Sequence, residues 1–240
     1  MNDLPSLKRE TRYGMPAADH ILFNRHYVLG YSYYFRQAKW ALEIVDSGKK
    51  DIERIDNFRP DYRIPEAFRA DLADYEGSGY DRGHLVASAN KNEINLQNSE
   101  TFLLSNMSPQ HPRFNRDIWR KLESAVRKLD DNADIWETYV ICGPIFYFDK
   151  PVESIGAQNN NDASIPIPNA YFKSILTEDK RGALKMWSFL MANKKSDKPL
   201  SNFLVPTVLI EKLSGLMLWE RLVGTKIKKE KNQVRKMWQY

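Results

Sequence analysis

Apolar and polar positions alternate early in the chain. Tyr27, Leu29, Tyr31 and Tyr33 fall on every second residue between His26 and Tyr34, and Ala38 to Val45 continues in a similar vein after a short polar break. Period two predicts an early pair of strands. The pattern then breaks. Asp51 to Asp74 is mixed and arginine-rich, and Pro60 and Pro65 predict loops and short pieces there. Asn90 to Asn98 reads as a short helix or an asparagine-rich loop, and Thr101 to Leu104 as a short apolar piece. From Asn115 to Leu129 the period changes: Ile118, Trp119, Leu122, Val126 and Leu129 recur at helical spacing. Ile135 to Phe148 reads as a buried strand. Ile165 to Leu176, Leu184 to Met191 and Phe203 to Leu209 read as further strands, with Gln158 to Asp162 as a loop. Strands, then a helix, then strands again predict an α+β fold, not a regular alternation of strand and helix.

The ends differ from the middle. Residues 1–12 are polar and read as a loose tail. Residues 13–223 read as the folded domain, and 224–240 as a basic tail. Lys226 to Lys236 is lysine-rich, with Arg235 and a single glutamate, Glu230. That tail reads as a solvated terminal helix, or alternatively as a supplementary nucleic-acid contact.

Composition adds bounds. The 240 residues are enough to bury a sizeable core, and 42% hydrophobic with 12% aromatic content fits a folded protein. Lysine and arginine number 36 against 31 acids, a net +5 that permits an anionic partner without requiring one. The lone cysteine, Cys142, excludes an intrachain disulfide and reads as a small buried hydrophobe. Met1 to Glu10 shows no apolar signal core, and no stretch approaches the ~18 apolar residues of a membrane span. The chain as written is therefore expected to be cytoplasmic and independent of membranes. Export without a cleavable signal, or a trimmed secreted form, would leave the same sequence.

Candidate chemistry concentrates in Tyr80-Asp81-Arg82-Gly83-His84, just after the hinge Gly77-Ser78-Gly79. Glycines there let the backbone turn sharply or approach a phosphate. A lone histidine is more often structural than catalytic, but His84 sits among an acid, a fixed cation and a hinge, and imidazole suits a general base near neutral pH. Asn115, at the start of the predicted helix, offers an amide oxygen to a metal; its plainer reading is a helix N-cap. Asn115, Trp119, Glu123 and Arg127 follow at steps of four and lie along one slowly drifting face. Trp119 reads as core, and Glu123 with Arg127 reads equally as an exposed ion pair.

A resemblance decides between these readings. Gly77 to Leu85, Phe102-Leu103-Leu104-Ser105-Asn106-Met107-Ser108-Pro109-Gln110, Phe114-Asn115, and Trp119 through Leu122-Glu123 to Arg127 resemble, in order, the motifs of the sugar-nonspecific DNA/RNA endonucleases. These are ββα-metal (His-Me finger) enzymes that include endonuclease G. Weaker echoes are Asn57-Phe58-Arg59-Pro60-Asp61, Gly143-Pro144-Ile145-Phe146, Ile165-Pro166-Ile167-Pro168 and Tyr171-Phe172-Lys173, so the likeness spans roughly residues 13 to 222.

The resemblance implies a mixed central β-sheet with flanking helices and a ββα-metal motif. It implies His84 as general base, Asn115 as the single protein ligand of magnesium (manganese substituting), and Glu123 as the carboxylate that holds water on that metal. Arg127 and Arg54 match phosphate-binding arginines, though Arg59 and Arg63 compete with Arg54. Arg82 and Asn106 fall on positions that support the site and its nucleic acid, and Asp81 is expected to shape the loop. The implied activity is hydrolysis of DNA and RNA to 5′-phosphate and 3′-hydroxyl ends. The resemblance admits a homodimer. Two rivals stand beside this reading: a binding module without catalysis, and a toxin or effector governed by a cognate inhibitor protein. A zinc enzyme is excluded, since the chain has no His-Glu-x-x-His and no cysteine pair.

Overall fold

The computed structural model describes residues 8–46, 48, 52–147, 149, 151–156 and 164–240. The alternating segment forms β2 (Tyr27–Ser32) and β3 (Gln37–Ile44), paired antiparallel as expected, with β1 (His20–Phe23) added on the outer edge. Only Leu22 of β1 is buried, which leaves too short a pattern to read from sequence. Next come α1 (Leu72–Tyr75), β4 (Asp81–His84), α2 (Asn95–Glu100) and β5 (Met107–Gln110). A π-helical turn, Phe114–Trp119, leads into α3 (Arg120–Asp130). The chain continues through β6 (Ile135–Ile145), β7 (Ser154–Ile155), β8 (Ile165–Pro166), β9 (Ala170–Asp179), β10 (Leu184–Ala192), β11 (Leu204–Val205), α4 (Thr207–Ser214) and α5 (Thr225–Asn232). The loop expected at 158–162 lies outside the described residues.

Seven strands make one sheet in the order β1-β2-β3-β6-β9-β10-β11. The α+β class holds. Where the resemblance implied a mixed sheet, every pairing within it runs antiparallel. One face packs under α3 through Ala41, Val140, Cys142, Tyr171, Ile175, Trp119 and Leu122. Cys142 is buried as expected, and its Sγ lies 3.0 Å from the carbonyl of Leu85. The other face carries Val28, Trp40, Leu42, Ile141, Phe172 and Leu176, covered by Ile210 of α4 and by Leu216, Leu218 and Trp219.

Three expectations change. The strand expected over Phe203–Leu209 is extended only at Leu204–Val205. Pro206 fixes its own φ and ends the pairing, and α4 starts one residue later. The N-terminal stretch is not loose from residue 8 onward: Arg9 pairs with Glu137, and Arg12 with Glu178 at 3.0 Å. The basic tail is helical at α5 and then docks. Trp238 Nε1 donates to the α3 carbonyl of Ala125 at 2.9 Å, and its ring meets Trp187 and Phe189 edge-on.

Candidate active site

The site sits where a two-stranded unit meets the long helix. β4 and β5 pair antiparallel, with Asp81 opposite Gln110 and His84 opposite Met107. Gly77 and Gly79 both take positive φ, as the expected hinge requires. Gly83 is needed for a different reason: a Cβ there would collide with the Gln110 side chain. The helix that follows opens at Pro112 and passes through the π turn, a distortion common at functional sites. Phe114 and Trp119 bury their rings against Tyr171 and so fix the turn to the sheet. Trp119 is core, as expected. The drift of four-residue steps then carries Glu123 and Arg127 out of the core to a cavity wall.

That cavity, of about 680 Å³, is lined by Arg54, Arg82, His84, Asn115, Arg120, Glu123 and Arg127 among others. The candidate residues from β4, the π turn, α3 and the loop at Arg54 are therefore brought together. A second cavity of about 640 Å³ shares Arg54, Arg82, Asn115 and Arg116 with it.

His84 packs edge-on against Phe102 and Phe58, with ring centroids 5.0 Å and 5.7 Å away. Each of those rings also carries a guanidinium: Arg54 over Phe102 at 5.0 Å and Arg82 over Phe58 at 4.2 Å. Burial first, and the Arg54 charge second, lower the His84 pKa to about 3. The imidazole is thus neutral near pH 7. Its Nε2 is buried and has no hydrogen-bond partner among the described residues.

Asn115 is not an N-cap. It lies inside the π turn, and its Nδ2 donates to Asp81 Oδ2 at 2.9 Å. Asp81 also accepts from Arg116, at 2.8 Å from Nε and 2.6 Å from Nη2. The amide is thereby fixed with its nitrogen toward Asp81, which leaves the oxygen as the group Asn115 can offer a cation. No cluster of three His, Cys, Asp or Glu among the described residues could hold a metal. The donor set is one amide oxygen with a carboxylate nearby, and His84, with its orphaned nitrogen, lines the same cavity. An oxygen-seeking ion that keeps most of its waters fits such a set.

Glu123 is half-buried, and burial raises its pKa against the pull of Lys173 and then Arg127. The exposed Glu123–Arg127 ion pair does not appear. Arg127 instead donates to Asn90 Oδ1 and Ser124 Oγ, each at 3.0 Å. Arg54 is exposed and bonds Asp56 at 3.1 Å. Of its competitors, Arg63 is tied up with Asp61 at 2.6 Å, and Arg59 donates to the Ser99 carbonyl at 2.9 Å.

Asn106 needs correction as a nucleic-acid contact. It is wholly buried, and its amide is used up on Val86 N, Val86 O and Thr101 O within the chain. It holds the backbone that follows His84 and cannot meet substrate. Arg116 and Arg120 line the cavity without having been singled out; their exposed positions on the helix resemble any solvated arginine.

The comparisons agree with this geometry. The family model described as DNA/RNA non-specific endonuclease matches residues 8–224. Mitochondrial endonuclease G of Caenorhabditis elegans is 34% identical over 232 residues, covering 91% of this chain and 74% of the relative. That of Homo sapiens is 34% identical over 215 residues, covering 86% and 71%. The crystal structure of an EndoG/EndoGI complex superposes with a TM-score of 0.84 at 32% identity, covering 96% of both chains. These relatives overturn the expectation of a cytoplasmic protein, since both endonucleases are named as mitochondrial. No helix among the described residues is long and apolar enough to cross a membrane. Motif order, site geometry and a likeness over most of the chain converge, and the chain is an enzyme belonging to the DNA/RNA non-specific endonuclease family.

Proposed function

We propose that the chain is a magnesium-dependent endonuclease that hydrolyses phosphodiester bonds in DNA and RNA, leaving 5′-phosphate and 3′-hydroxyl ends. One observation carries the reading: His84, whose buried Nε2 has no hydrogen-bond partner among the described residues, lines a cavity that also bears Asn115, Glu123 and Arg127. His84 takes the proton of the attacking water at that nitrogen. Its neutral form is ready at pH 7, and an incoming phosphate beside Arg54 offsets the cation that weakens its basicity. Arg127, Arg54 and Arg82 hold the non-bridging phosphate oxygens, a task suited to a planar, permanently charged fork.

Asn115 Oδ1 would hold the magnesium ion, with manganese able to substitute, and Glu123 would fix water beside it. When bound, the ion supplies positive charge where negative charge grows, on the phosphoryl and leaving oxygens. Asp81 keeps the Asn115 amide oriented for this. Phosphate contacts carry no base information, so sequence preference is weak. Binding weakens with salt, with a log–log slope of about −0.9 per phosphate neutralised on duplex DNA. A cognate inhibitor protein is a further partner we propose, on the strength of the neighbour solved with EndoGI. A homodimer, which the resemblance admits, is checked by sedimentation.

The test is supercoiled-plasmid cleavage in magnesium and in chelator, for wild type and His84→Ala, with end-labelling of the products. Metal-dependent nicking that falls by at least about 10²-fold in the variant is expected. Undiminished cleavage by His84→Ala would remove the histidine from its role. Binding without cleavage in every divalent metal would favour the non-catalytic rival.

A further inference from the structure

We propose that Asn90 is the positioning residue of Arg127, aimed by Glu43, a carboxylate buried in the central sheet; this rests on the assignment of Arg127 to phosphate binding. The three groups form one chain of hydrogen bonds. Arg127 Nη1 donates to Asn90 Oδ1 at 3.0 Å, and Asn90 Nδ2 donates to Glu43 Oε1 at 2.9 Å. Asn90 is 4% exposed and Glu43 1%. A guanidinium only donates and a carboxylate only accepts, so the Asn90 amide can sit only one way round. Arg127 is pinned at a second corner by Ser124 Oγ, and its remaining N–H groups are left for the cavity it lines.

The far end of the chain is an ion pair. Glu43 Oε2 faces Lys91 Nζ at 3.3 Å, and that ammonium also donates to the Ile44 carbonyl at 2.6 Å. Both side chains of the pair are almost wholly buried. A buried ion pair is weak evidence for stability, because apolar residues of the same volume serve as well. Its value here is geometric. Glu43 sits on β3, which is hydrogen-bonded on both sides by β2 and β6, and one amide links that anchored position to a long, rotamer-rich side chain in the site. Without Asn90, Arg127 would keep its charge but lose its aim, and Glu43 Oε1 would lose its partner.

The test is steady-state cleavage of a duplex oligonucleotide in magnesium, with thermal melting measured on the same samples. Asn90→Ala is expected to lower kcat by about 10- to 100-fold with KM little changed. On an Arg127→Ala background the same substitution should change kcat by less than about twofold, because the two residues act as a unit. A polarity reversal guards against simple misfolding. Asn90→Asp alone sets two carboxylates together and should lower kcat as Asn90→Ala does. Adding Glu43→Gln should bring kcat back to within about threefold of wild type, since the new amide donates and the new carboxylate still accepts from Arg127. Equal losses with and without Arg127, or failure of the reversal in a double variant that melts like wild type, would overturn the inference. Full cleavage by Arg127→Ala would instead bring down the assignment of Arg127, and the inference with it.

Discussion

The two faces of the central sheet take neighbouring residues of the same strands and use them differently. Leu42 and Phe172 point to the side closed by α4 and Trp219. Glu43 and Lys173, one residue further along β3 and β9, point under α3. Glu43 pairs in register with Val140, and Lys173 with Cys142, both members of that core, and the Lys173 ammonium lies 4.5 Å from the Trp119 ring. Beneath α4 the buried polar groups are small and satisfy one another: Ser188 bonds Ser174 and Thr207 at 3.0 and 2.9 Å, and Trp219 Nε1 donates to Ser174 at 3.0 Å. The carboxylates buried with that core, Glu178 and Glu137, accept from Tyr13 and Tyr139 and pair with Arg12 and Arg9 of the N-terminal stretch. The α3 side buries charge beneath the site helix itself. One face is built to hold the molecule together, and the other also sets the electrostatics of the helix that carries Glu123 and Arg127.

The comparison breaks most readily on stability. Phe172 is fully buried on the apolar face. Phe172→Ala is expected to cost about 3–5 kcal/mol in denaturant unfolding, while kcat per folded molecule stays near wild type. A large kcat loss in fully folded Phe172→Ala protein would show that the two faces are not separate in function.

Lys173→Met tests the other face. Lys173 is the foremost charge holding down the pKa of Glu123, against the burial that raises it. Removing the ammonium lets Glu123 keep its proton to higher pH, so an activity that needs the carboxylate loses ground on the acid side. Cleavage should therefore fall further at pH 6 than at pH 8, as the acid limb of the profile moves up. A loss of equal size at both pH values would mean that Lys173 matters only for packing.

The same alternation explains what was legible in the sequence. Period two gave β2 and β3, whose apolar runs are long and buried nearly throughout, and helical spacing gave the segment from Asn115 to Leu129, where α3 has one buried face. β1, with a single buried residue, had none. Phe203–Leu209 read as a strand because its apolar residues suit either element, and the boundary rests on Pro206. His84, Asn115, Glu123, Arg127 and Arg54 were named from motif order, and they gather at one cavity. Asp81 was expected only to shape its loop, and its hold on Asn115 depends on a contact across 34 positions. Asn90 and Glu43 were out of reach for the same reason. Their bond spans 47 positions, and a single glutamate within an alternating strand looks like an exposed residue until the sheet is assembled. Asn106 shows the converse: a motif marks a position without saying whether it faces substrate or core.

His84 gives a pH test of intermediate size. Its folded pKa is lowered, by burial first and Arg54 second, to about 3, against about 6.5 in an unfolded chain. Folding therefore favours the neutral ring. That contribution is fully present above pH 6.5 and is lost as pH falls from 6.5 toward 3, where the unfolded chain binds the extra proton. The difference in melting temperature between wild type and His84→Asn should narrow, or change sign, as pH is lowered from 7 to 4.5. A difference constant across that range would show that His84 titrates alike in both states and is not desolvated.

The smallest expected effect lies at the edge of the site. Arg54 and Asp56 form an ion pair 3.1 Å apart, with 56% and 62% of their side chains exposed. Such pairs contribute about 0–1 kcal/mol, and Arg54 keeps its seat on the Phe102 ring without Asp56. Asp56→Asn should leave melting unchanged within about 0.5 kcal/mol. It removes a negative charge from the rim of the adjoining cavity, where Asp56 stands beside Arg54 and Arg82. KM for duplex DNA should therefore fall by about two- to threefold at low salt. The gain should fade near 0.15 M, where screening acts over about 8 Å. A salt-independent drop in kcat would give Asp56 a different part: it would then aim Arg54 as Glu43 and Asn90 aim Arg127, and charge positioning would extend from the buried sheet to the exposed rim.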